Sequence, residues 1–577
     1  MTKILFTTLN FLGASLYLCA ATFYCSPNGN DNTGSGALNS PFRNVARAID
    51  EASAGDVIEL RGGNYPSNEI RINKSNLTIR SYNGEWARIE APTDVEDIAS
   101  CIWYNEPDVN GGLLENLEIV GGYYYGVKFE TNWDWGLSER YGVSHITLRN
   151  CDIHHTGRDC VKITPACDHI YLIGCSLHHS GVGISNSPDN GGPNAEGIDN
   201  VNGSNMIVRN CHIHHTSTSG VYAKGGARNC LIENNLVTDT GEGGILLGFY
   251  TDAEWFDTTL NPNYHECIGG IARNNIVLRT GGTGIGCWGS LDCGVYNNTI
   301  ATASPAFHAA IQLDRADVWI DDVTTANAPN INLTIQNNIV IDQSPATDDD
   351  YTVEVREGAL GSNISINQNV YHKTSGAASF SYQGNWPAFT WTEWQSAGYD
   401  NNGTEANPML DAQYHLTNSS SAAIDQATTI NGISIDYDGN SRTGTPDCGA
   451  DEFGAGNNLP VPPTVAIGTG LGSGIILSTD APANANTWAI EIRQVSDIAG
   501  MYELILPESA EAIAAAPLWV TTFDMQGRTV AAQPLANHQS AQIDLSHAPS
   551  GWYIVQITAR TGAYQRNMPN MTAKIWR

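Results

Sequence analysis

The chain has 577 residues, more than one ordinary globular domain, and 58 of them are glycine while only 15% are charged. Many turn-forming residues and few charges favour an all-β fold over a helical one. Sixty acidic residues against 28 basic ones give a formal net charge of −32, which argues against nucleic acid and anionic membrane surfaces as partners.

The chain begins with a predicted signal peptide at residues 1–21. Lys3 precedes an apolar stretch that runs to Leu18, and the small residues Ala20 and Ala21 follow. This arrangement is typical of a secretory signal with its cleavage site. No later stretch is long and apolar enough to span a membrane. We therefore expect a secreted, monomeric protein without a membrane span.

A cap helix is predicted at about residues 41–54. Phe42, Val45, Ala46 and Ile49 would share one face, and Pro41 suits a first helical position. The flanking phrases YCSPNG (24–29) and GDVI (55–58) resemble the amino-terminal segment of right-handed parallel β-helix proteins of the pectate-lyase type. That resemblance implies a fold and no activity.

A short phrase recurs through the middle of the chain, for example RNCDIHH, RNCHIHH, IENNLV and IQNNIV. Its copies lie 23 to 40 residues apart and align on one column: Asn150, Gly174, Asn210, Asn234, Asn274, Asn297, Asn337 and Gln368. Such spacing predicts a parallel β-helix over residues 22–457, in which each coil stacks at about 4.8 Å on the last. We expect the asparagine column to bond its side-chain amides along the stack.

Two further columns are interpreted as structural. Cys151, Cys175 and Cys211 share one position of the repeat and predict a buried stack, although disulfides in unassigned pairs remain an alternative. The doubled histidines at 154–155, 178–179 and 214–215 predict stacked imidazoles in preference to a tetrahedral zinc site.

The carboxy-terminal part is predicted to be a separate domain. A Pro- and Gly-rich linker at 458–480 precedes strand-like runs over residues 481–577. The phrases FDMQGR (523–528) and PSGWYI (549–554) resemble the sorting domain of the type nine secretion system, which implies a β-sandwich, the secretion machinery as partner and a bacterial extracellular or cell-surface location. The alternative is an accessory carbohydrate-binding β-sandwich.

Aligning the coils on their glycines predicts one sheet face with candidate catalytic and binding residues. The first outward column is Lys128, Lys162, Asp199, Tyr222, Leu246 and Gly286, and its neighbour is Glu130, Thr164, Val201, Lys224, Gly248 and Trp288. Insertions at about 181–195 and 249–266 would wall this face, the second with Trp255 as a stacking surface for sugars.

These residues suit β-elimination on a uronate chain. The reaction needs a base, a positive group at the carboxylate and an acid for the leaving oxygen. We assign Lys224 as the base and Tyr222 as the acid, with Lys162 and Asp199 completing the catalytic group. Lys128, Glu130, Trp255 and Trp288 are predicted to bind substrate.

The phrase Asn194–Asp199, NAEGID, resembles the Asn-Ala-Asp-Gly phrase of calcium-dependent β-helix pectate lyases. That resemblance implies a calcium ion and a lysine base, and Asp189, Glu196 and Asp199 are the candidate oxygen ligands. The family's paired aspartates are replaced by residues 217–219, Ser-Thr-Ser. A second resemblance, to the chondroitinase B and alginate lyase group, matches Lys224, but Gly248 stands where an arginine is expected.

The leading hypothesis is thus a secreted lyase acting on a uronic-acid polysaccharide such as pectate or alginate. A glycoside hydrolase with Glu130, Glu196 and Asp199 as its carboxylates is the main alternative. A carbon-5 epimerase and a non-catalytic glycan-binding or adhesive solenoid also stay open.

Overall fold

The computed structural model describes residues 20–133, 139–302, 309–321, 323–345, 351–385 and 387–454, and the backbone of seven strands between residues 491 and 576. The chain divides into two compact units, Met1–Gly468 and Thr469–Arg577. The division falls inside the predicted linker at 458–480, which lies outside the described residues, as does nearly all of the predicted signal peptide.

The first unit is a parallel β-helix with three sheets, to which successive coils contribute one strand each. Sheet 1 contains the strands Thr22–Cys25, Val57–Leu60, Leu77–Ser81, Asn110–Glu115, Ser144–Arg149, Asp168–Ile173, Ile207–Arg209, Leu231–Glu233, Ile271–Arg273, Gly294–Tyr296, Thr334–Gln336 and Ser365–Asn367. Sheet 2 contains Ile70–Ile72, Ser100–Tyr104, Tyr125–Phe129, Val161–Ile163, Ile198–Val201, Val221–Lys224, Ile245–Leu247, Ile285–Trp288, Ala309–Asp314, Tyr351–Val355 and Phe380–Tyr382. Sheet 3 contains Gly63–Pro66, Ala87–Glu90, Leu117–Val120, Asp152–His154, Ser176–His178, His212–His214, Leu236–Thr238, Ile276–Leu278, Thr299–Thr302, Ile339–Asp342, Val370–Lys373 and Thr404–Glu405.

Besides the three large sheets, the described part of the first unit contains three short parallel strands and one antiparallel pair. Ala227–Arg228, Cys267–Ile268 and Ser290–Leu291 form a short parallel sheet, and Ala316–Trp319 pairs antiparallel with Thr325–Ala328. Alternation along each main strand directs apolar side chains into a common core: in Val161–Ile163 the two ends are buried and the central lysine points outward.

The cap helix is shorter than predicted, at Val45–Glu51. Its buried face consists of Val45, Ala48 and Ile49, whereas Ala46 is exposed. Phe42 is buried but lies before the helix, where it bridges to Cys25 in the first strand. The predicted face is confirmed at Val45 and Ile49, but Ala48 takes the place of Ala46, and the chain is not yet helical at Phe42.

The aligned asparagine column is a column of left-handed turns between sheets 1 and 3. Its eight residues have φ between 51° and 63°, a conformation that asparagine and glycine adopt most readily. The hydrogen-bonded ladder lies one residue later, at Asn235, Asn275, Asn298, Asn338 and Asn369. Each Nδ2 donates to the next Oδ1 at 2.9–3.0 Å, so the main ladder lies one residue beyond the predicted column. In the predicted column Nδ2 of Asn337 donates to Oδ1 of Asn297 at 3.3 Å.

In earlier coils the ladder position is taken by Cys151, Cys175 and Cys211, and all twelve described cysteines are free and buried. The histidines stack as predicted, with ring centroids 4.6–5.1 Å apart from coil to coil. Both columns thus repeat the same side chain on successive coils.

A segment at residues 406–454, the closing segment, runs back along the solenoid. The turn asparagines hold it: Nδ2 of Asn234 donates to the carbonyl of Asp436 at 2.6 Å, and that of Asn297 donates to the carbonyl of Asp447 at 3.1 Å. Before it, the helix Trp391–Ser396 begins with a capping box between Thr390 and Glu393. No helix in the described part of the chain has the length and apolar character needed to cross a lipid bilayer.

The second unit contains two antiparallel sheets. One has the strands Glu491–Gln494, Met501–Ile505 and Ser540–Asp544, and the other has Leu518–Asp524, Thr529–Pro534, Trp552–Ala559 and Met571–Trp576. This all-β arrangement agrees with the predicted fold class.

Candidate active site on sheet 2

The outward column of sheet 2 has the predicted register. Lys128 pairs with Lys162, Lys162 with Asp199, and Asp199 with Tyr222 on successive strands. Lys224 pairs with Val201 at the end of its strand, again as predicted. Repetition alone therefore brought these side chains to one face, since a parallel sheet stacks equivalent residues.

Asp199 is the centre of the charged group. Its carboxylate contacts Nζ of Lys162, and its Oδ1 lies 3.8 Å from Nζ of Lys224. Burial alone would raise the pKa of Asp199, but Lys162 and Lys224 hold the pKa below its ordinary value. In the same way burial alone would lower the pKa of Lys162, whereas Asp199 raises that pKa well above the usual range.

Three buried carboxylates meet beside these lysines: Asp159, Glu196 and Asp199 offer oxygens that all lie within 4.8 Å of one another. Burial, and then repulsion by Glu196, raises the pKa of Asp159. Burial, and then Asp199, raises the pKa of Glu196. Without a bound metal ion, three carboxylates this close cannot all be ionised at low cost.

The carboxylate group fits a hard divalent cation. Among the described residues, no donor forms a hydrogen bond with Oε2 of Glu196 or Oδ1 of Asp199, although both atoms are buried. Carboxylate oxygens are the ligands that calcium prefers. The other oxygen of Glu196 accepts a 2.7 Å hydrogen bond from Thr218, which lies where the resemblance called for an aspartate.

The predicted ligand set needs one correction. Asp189 is exposed in a short turn, Pro188–Asn190, of the first inserted loop and is not part of the carboxylate group. Asp159 takes its place, because Val161 pairs with Ile198 and Asp159 therefore occupies the same coil position as Glu196. The register of the coils would have identified Asp159, had the residue before each strand been aligned as well.

Tyr222 and Trp288 are packing residues in this structure and are not accessible to a substrate. Each is 2% exposed, and with Leu246 they form an apolar cluster under Phe249 of the second inserted loop. The hydroxyl of Tyr222 accepts a 3.1 Å hydrogen bond from Ser219, and burial raises its pKa well above the ordinary value. The second inserted loop folds over the sheet and covers both side chains, so the structure does not place them where the predicted roles require.

Lys224 lies on this cluster, with Nζ 4.4 Å from the centre of the Tyr222 ring. Its side chain is 13% exposed, compared with 19% for Lys162 and 4% for Asp199. Tyr222 thus positions the lysine through a cation–π contact.

The remaining predicted binding residues lie further along the face. Lys128 pairs with Glu130 at 2.9 Å, and Trp103 donates to the same carboxylate at 3.0 Å. Trp255 is half-buried in the second loop, and its carbonyl accepts a 2.6 Å bond from Asn202. That bond attaches the loop to the turn that follows the Asp199 strand.

Glu266 was missed by the sequence analysis. It ends the second inserted loop, is fully buried, and accepts hydrogen bonds from the amide of Gly225 at 2.6 Å and from Thr251 at 2.7 Å. Burial raises its pKa to about 7. Nothing in the repeat marks this residue, because it comes from an insertion.

Comparison with known proteins agrees with this architecture. Residues 136–300 and 197–389 match the family model of the right handed beta helix region, and residues 510–568 match that of the secretion system C-terminal sorting domain. The chain therefore joins a right-handed parallel β-helix to a carboxy-terminal region that is similar to sorting domains.

One curated relative is pectate lyase PEL9 of Emericella nidulans, 36% identical over 136 residues. The match covers 20% of this chain, and the chain spans about a third, 33%, of that relative. Among solved structures, pectate lyase Pel9A has a TM-score of 0.40 at 16% identity, covering 75% of this chain and 96% of its own. XylC in complex with xylose has a TM-score of 0.46 at 10% identity, covering 75% and 98%.

Proposed function

We propose that this β-helix is a secreted polysaccharide lyase that cleaves a uronic-acid polysaccharide by β-elimination, with Lys224 as the base. The observation that carries the proposal is Nζ of Lys224, on a side chain that is 13% exposed, beside the buried carboxylates of Asp159, Glu196 and Asp199. The similarity to a pectate lyase over 136 residues supports the same reaction class.

Each group has a separate task in this proposal. Lys224 in its neutral form takes the proton beside the uronate carboxylate. Asp199 and the Tyr222 ring fix the position of Nζ. Lys162 remains paired with Asp199, and its positive charge compensates the negative charge of that buried carboxylate.

Asp159, Glu196 and Asp199 would hold a calcium ion. When bound, the ion would supply positive charge to bind the substrate carboxylate and to stabilise the enolate that forms from it. Because Tyr222 is buried, the leaving oxygen would take its proton from water.

The burial of the acids favours a lyase over a glycoside hydrolase. A hydrolase needs two carboxyl groups that reach the scissile bond or a water molecule beside it. Asp159, Glu196 and Asp199 are all buried, and Glu130 is paired with Lys128 and Trp103.

The sorting domain supports export of the protein. We infer that the type nine secretion machinery delivers it to the bacterial cell surface or the medium, where a polysaccharide substrate would be met.

The test is to incubate the full-length protein with pectate, alginate, chondroitin and neutral glycans. A lyase makes an unsaturated product that absorbs in the ultraviolet, whereas a hydrolase only increases the number of reducing ends. We expect the ultraviolet product from at least one uronate polymer. Reducing ends alone, or binding without any product, would contradict the proposal.

A further inference from the structure

The closing segment contains a second group of potential metal ligands, far along the chain from sheet 2. His415, Asp438 and Asp451 each offer a ligand atom, and these atoms lie within 4.8 Å of one another. Nε2 of His415 is 3.0 Å from Oδ2 of Asp438. Asp451 accepts a 2.7 Å hydrogen bond from the amide of Leu416 through its Oδ2.

Two polar atoms in this group have no hydrogen-bond partner among the described residues. They are Oδ1 of Asp438 and Nδ1 of His415, whose side chains are 0% and 1% exposed. The nearest acid to that nitrogen is Asp411, whose Oδ1 is 3.8 Å away, beyond hydrogen-bonding distance. Unpaired buried polar atoms are costly, and an ion bound by Asp438 would satisfy its Oδ1.

The local charge also calls for a cation. Residues 406–454 contain one arginine and one histidine, yet five of their carboxylates are buried: Asp436, Asp438, Asp447, Asp451 and Glu452. Arg442 is committed to Glu452 at 3.3 Å and to backbone carbonyls.

Backbone amides donate two hydrogen bonds to each of three of these acids. Asp436 accepts from the amides of Asn440 and Glu452, Asp447 from those of Asp425 and Phe453, and Glu452 from those of Thr443 and Asp447. Among the residues that the structure describes, the hydrogen-bond partner of the Asp438 carboxylate is His415. Even a protonated histidine leaves the His415–Asp438–Asp451 group with excess negative charge.

We propose that His415, Asp438 and Asp451 bind a transition-metal dication of the zinc type, which joins three parts of the closing segment. An imidazole with two carboxylates suits zinc better than calcium, which prefers oxygen ligands alone. Asp438 also lines a cleft of 390 Å³, together with Arg209, Glu233 and Arg273. The ion would stabilise the segment that the turn asparagines hold against the solenoid.

The test measures zinc bound by the full-length protein after removal of metal with a chelator and dialysis against zinc chloride. Asp438→Asn is the test variant, because it keeps the shape of the side chain while removing its charge. Two further variants test the other places where zinc could bind. Glu196→Gln removes a carboxylate of the sheet 2 site, and His178→Asn removes a member of the histidine stack.

We expect one zinc per chain in the wild type, in Glu196→Gln and in His178→Asn, and at least a tenfold loss of zinc affinity in Asp438→Asn. Zinc should also raise the melting temperature of the wild type and not that of Asp438→Asn. Cobalt gives a second measurement that does not depend on the folding of Asp438→Asn. Visible absorption bands of bound cobalt should appear in Glu196→Gln and should disappear when zinc displaces the cobalt.

Three outcomes would overturn the proposal. They are no stoichiometric zinc in Glu196→Gln, full zinc affinity in Asp438→Asn, or loss of the zinc in His178→Asn. The first would show that His415 and Asp438 form only an ion pair. None of the three bears on the lyase activity of sheet 2, which is measured separately.

Discussion

Nζ of Lys224 lies 3.8 Å from Oδ1 of Asp199, across two adjacent coils of sheet 2. The aspartate is buried and ionised between two lysines, whereas the lysine is the more exposed partner. This pair connects the buried carboxylates to the surface that a polysaccharide would reach, and the first predictions concern it.

Replacing Lys224 with alanine should reduce lyase activity by about a hundred- to ten-thousand-fold, the usual contribution of a general base. The formation rate of the ultraviolet-absorbing product measures this. Arg47→Ala, which removes an exposed cation from the cap helix, is the control and should leave the rate unchanged. If Lys224→Ala kept wild-type kcat, Lys224 would not be the base.

Calcium removal should inactivate the enzyme, and Glu196→Gln should weaken calcium binding by about tenfold or more, because ligand charge sets calcium affinity. Isothermal titration and calcium-dependent activity after chelation both measure this. Asp189→Asn is the matched control, since Asp189 is exposed and outside the carboxylate group. Loss of binding in the control and not in Glu196→Gln would assign the site to the inserted loop.

Glu266 should make stability depend on pH. Its pKa is raised by burial from 4.5 to about 7, so the native state keeps a proton that the unfolded chain has released. The free energy of unfolding therefore falls as pH rises from about 4.5 to about 7, by an amount on the order of 3 kcal/mol for this group.

Glu266→Gln should lose less stability over that range than the wild type, as measured by denaturant unfolding at several pH values. Glu254→Gln is the control, because Glu254 is an exposed residue of the same loop. Parallel pH profiles for the wild type and Glu266→Gln would refute the assignment.

The asparagine ladder should be sensitive to a single break. Asn298 donates to Asn338 and to the carbonyl of Ala272, and accepts from Asn275. Asn298→Ala leaves buried partners unsatisfied and should cost about 3 kcal/mol of unfolding free energy. Asn210→Gly, at an exposed left-handed turn with φ 54°, should change it by no more than about 0.5 kcal/mol. Equal effects of the two changes would contradict this distinction.

Much of the fold could be predicted because the repeat is visible in the amino-acid sequence. A parallel solenoid places residues of equal phase in one column, so aligning the coils was enough to bring Lys128, Lys162 and Asp199 together. The same alignment could not assign the ladder, because turn and ladder asparagines are adjacent and differ only in backbone conformation.

The sequence by itself determined the β-helix, its outward columns, the stacked histidines and the lysine that we propose as the base. The tertiary structure alone decided which side chains remain accessible. Phe249 covers Tyr222 and Trp288, and Glu266 arrives beside the site from an insertion that has no place in the repeat. Burial depends on loops that fold back over the sheet, and periodicity carries no information about their path.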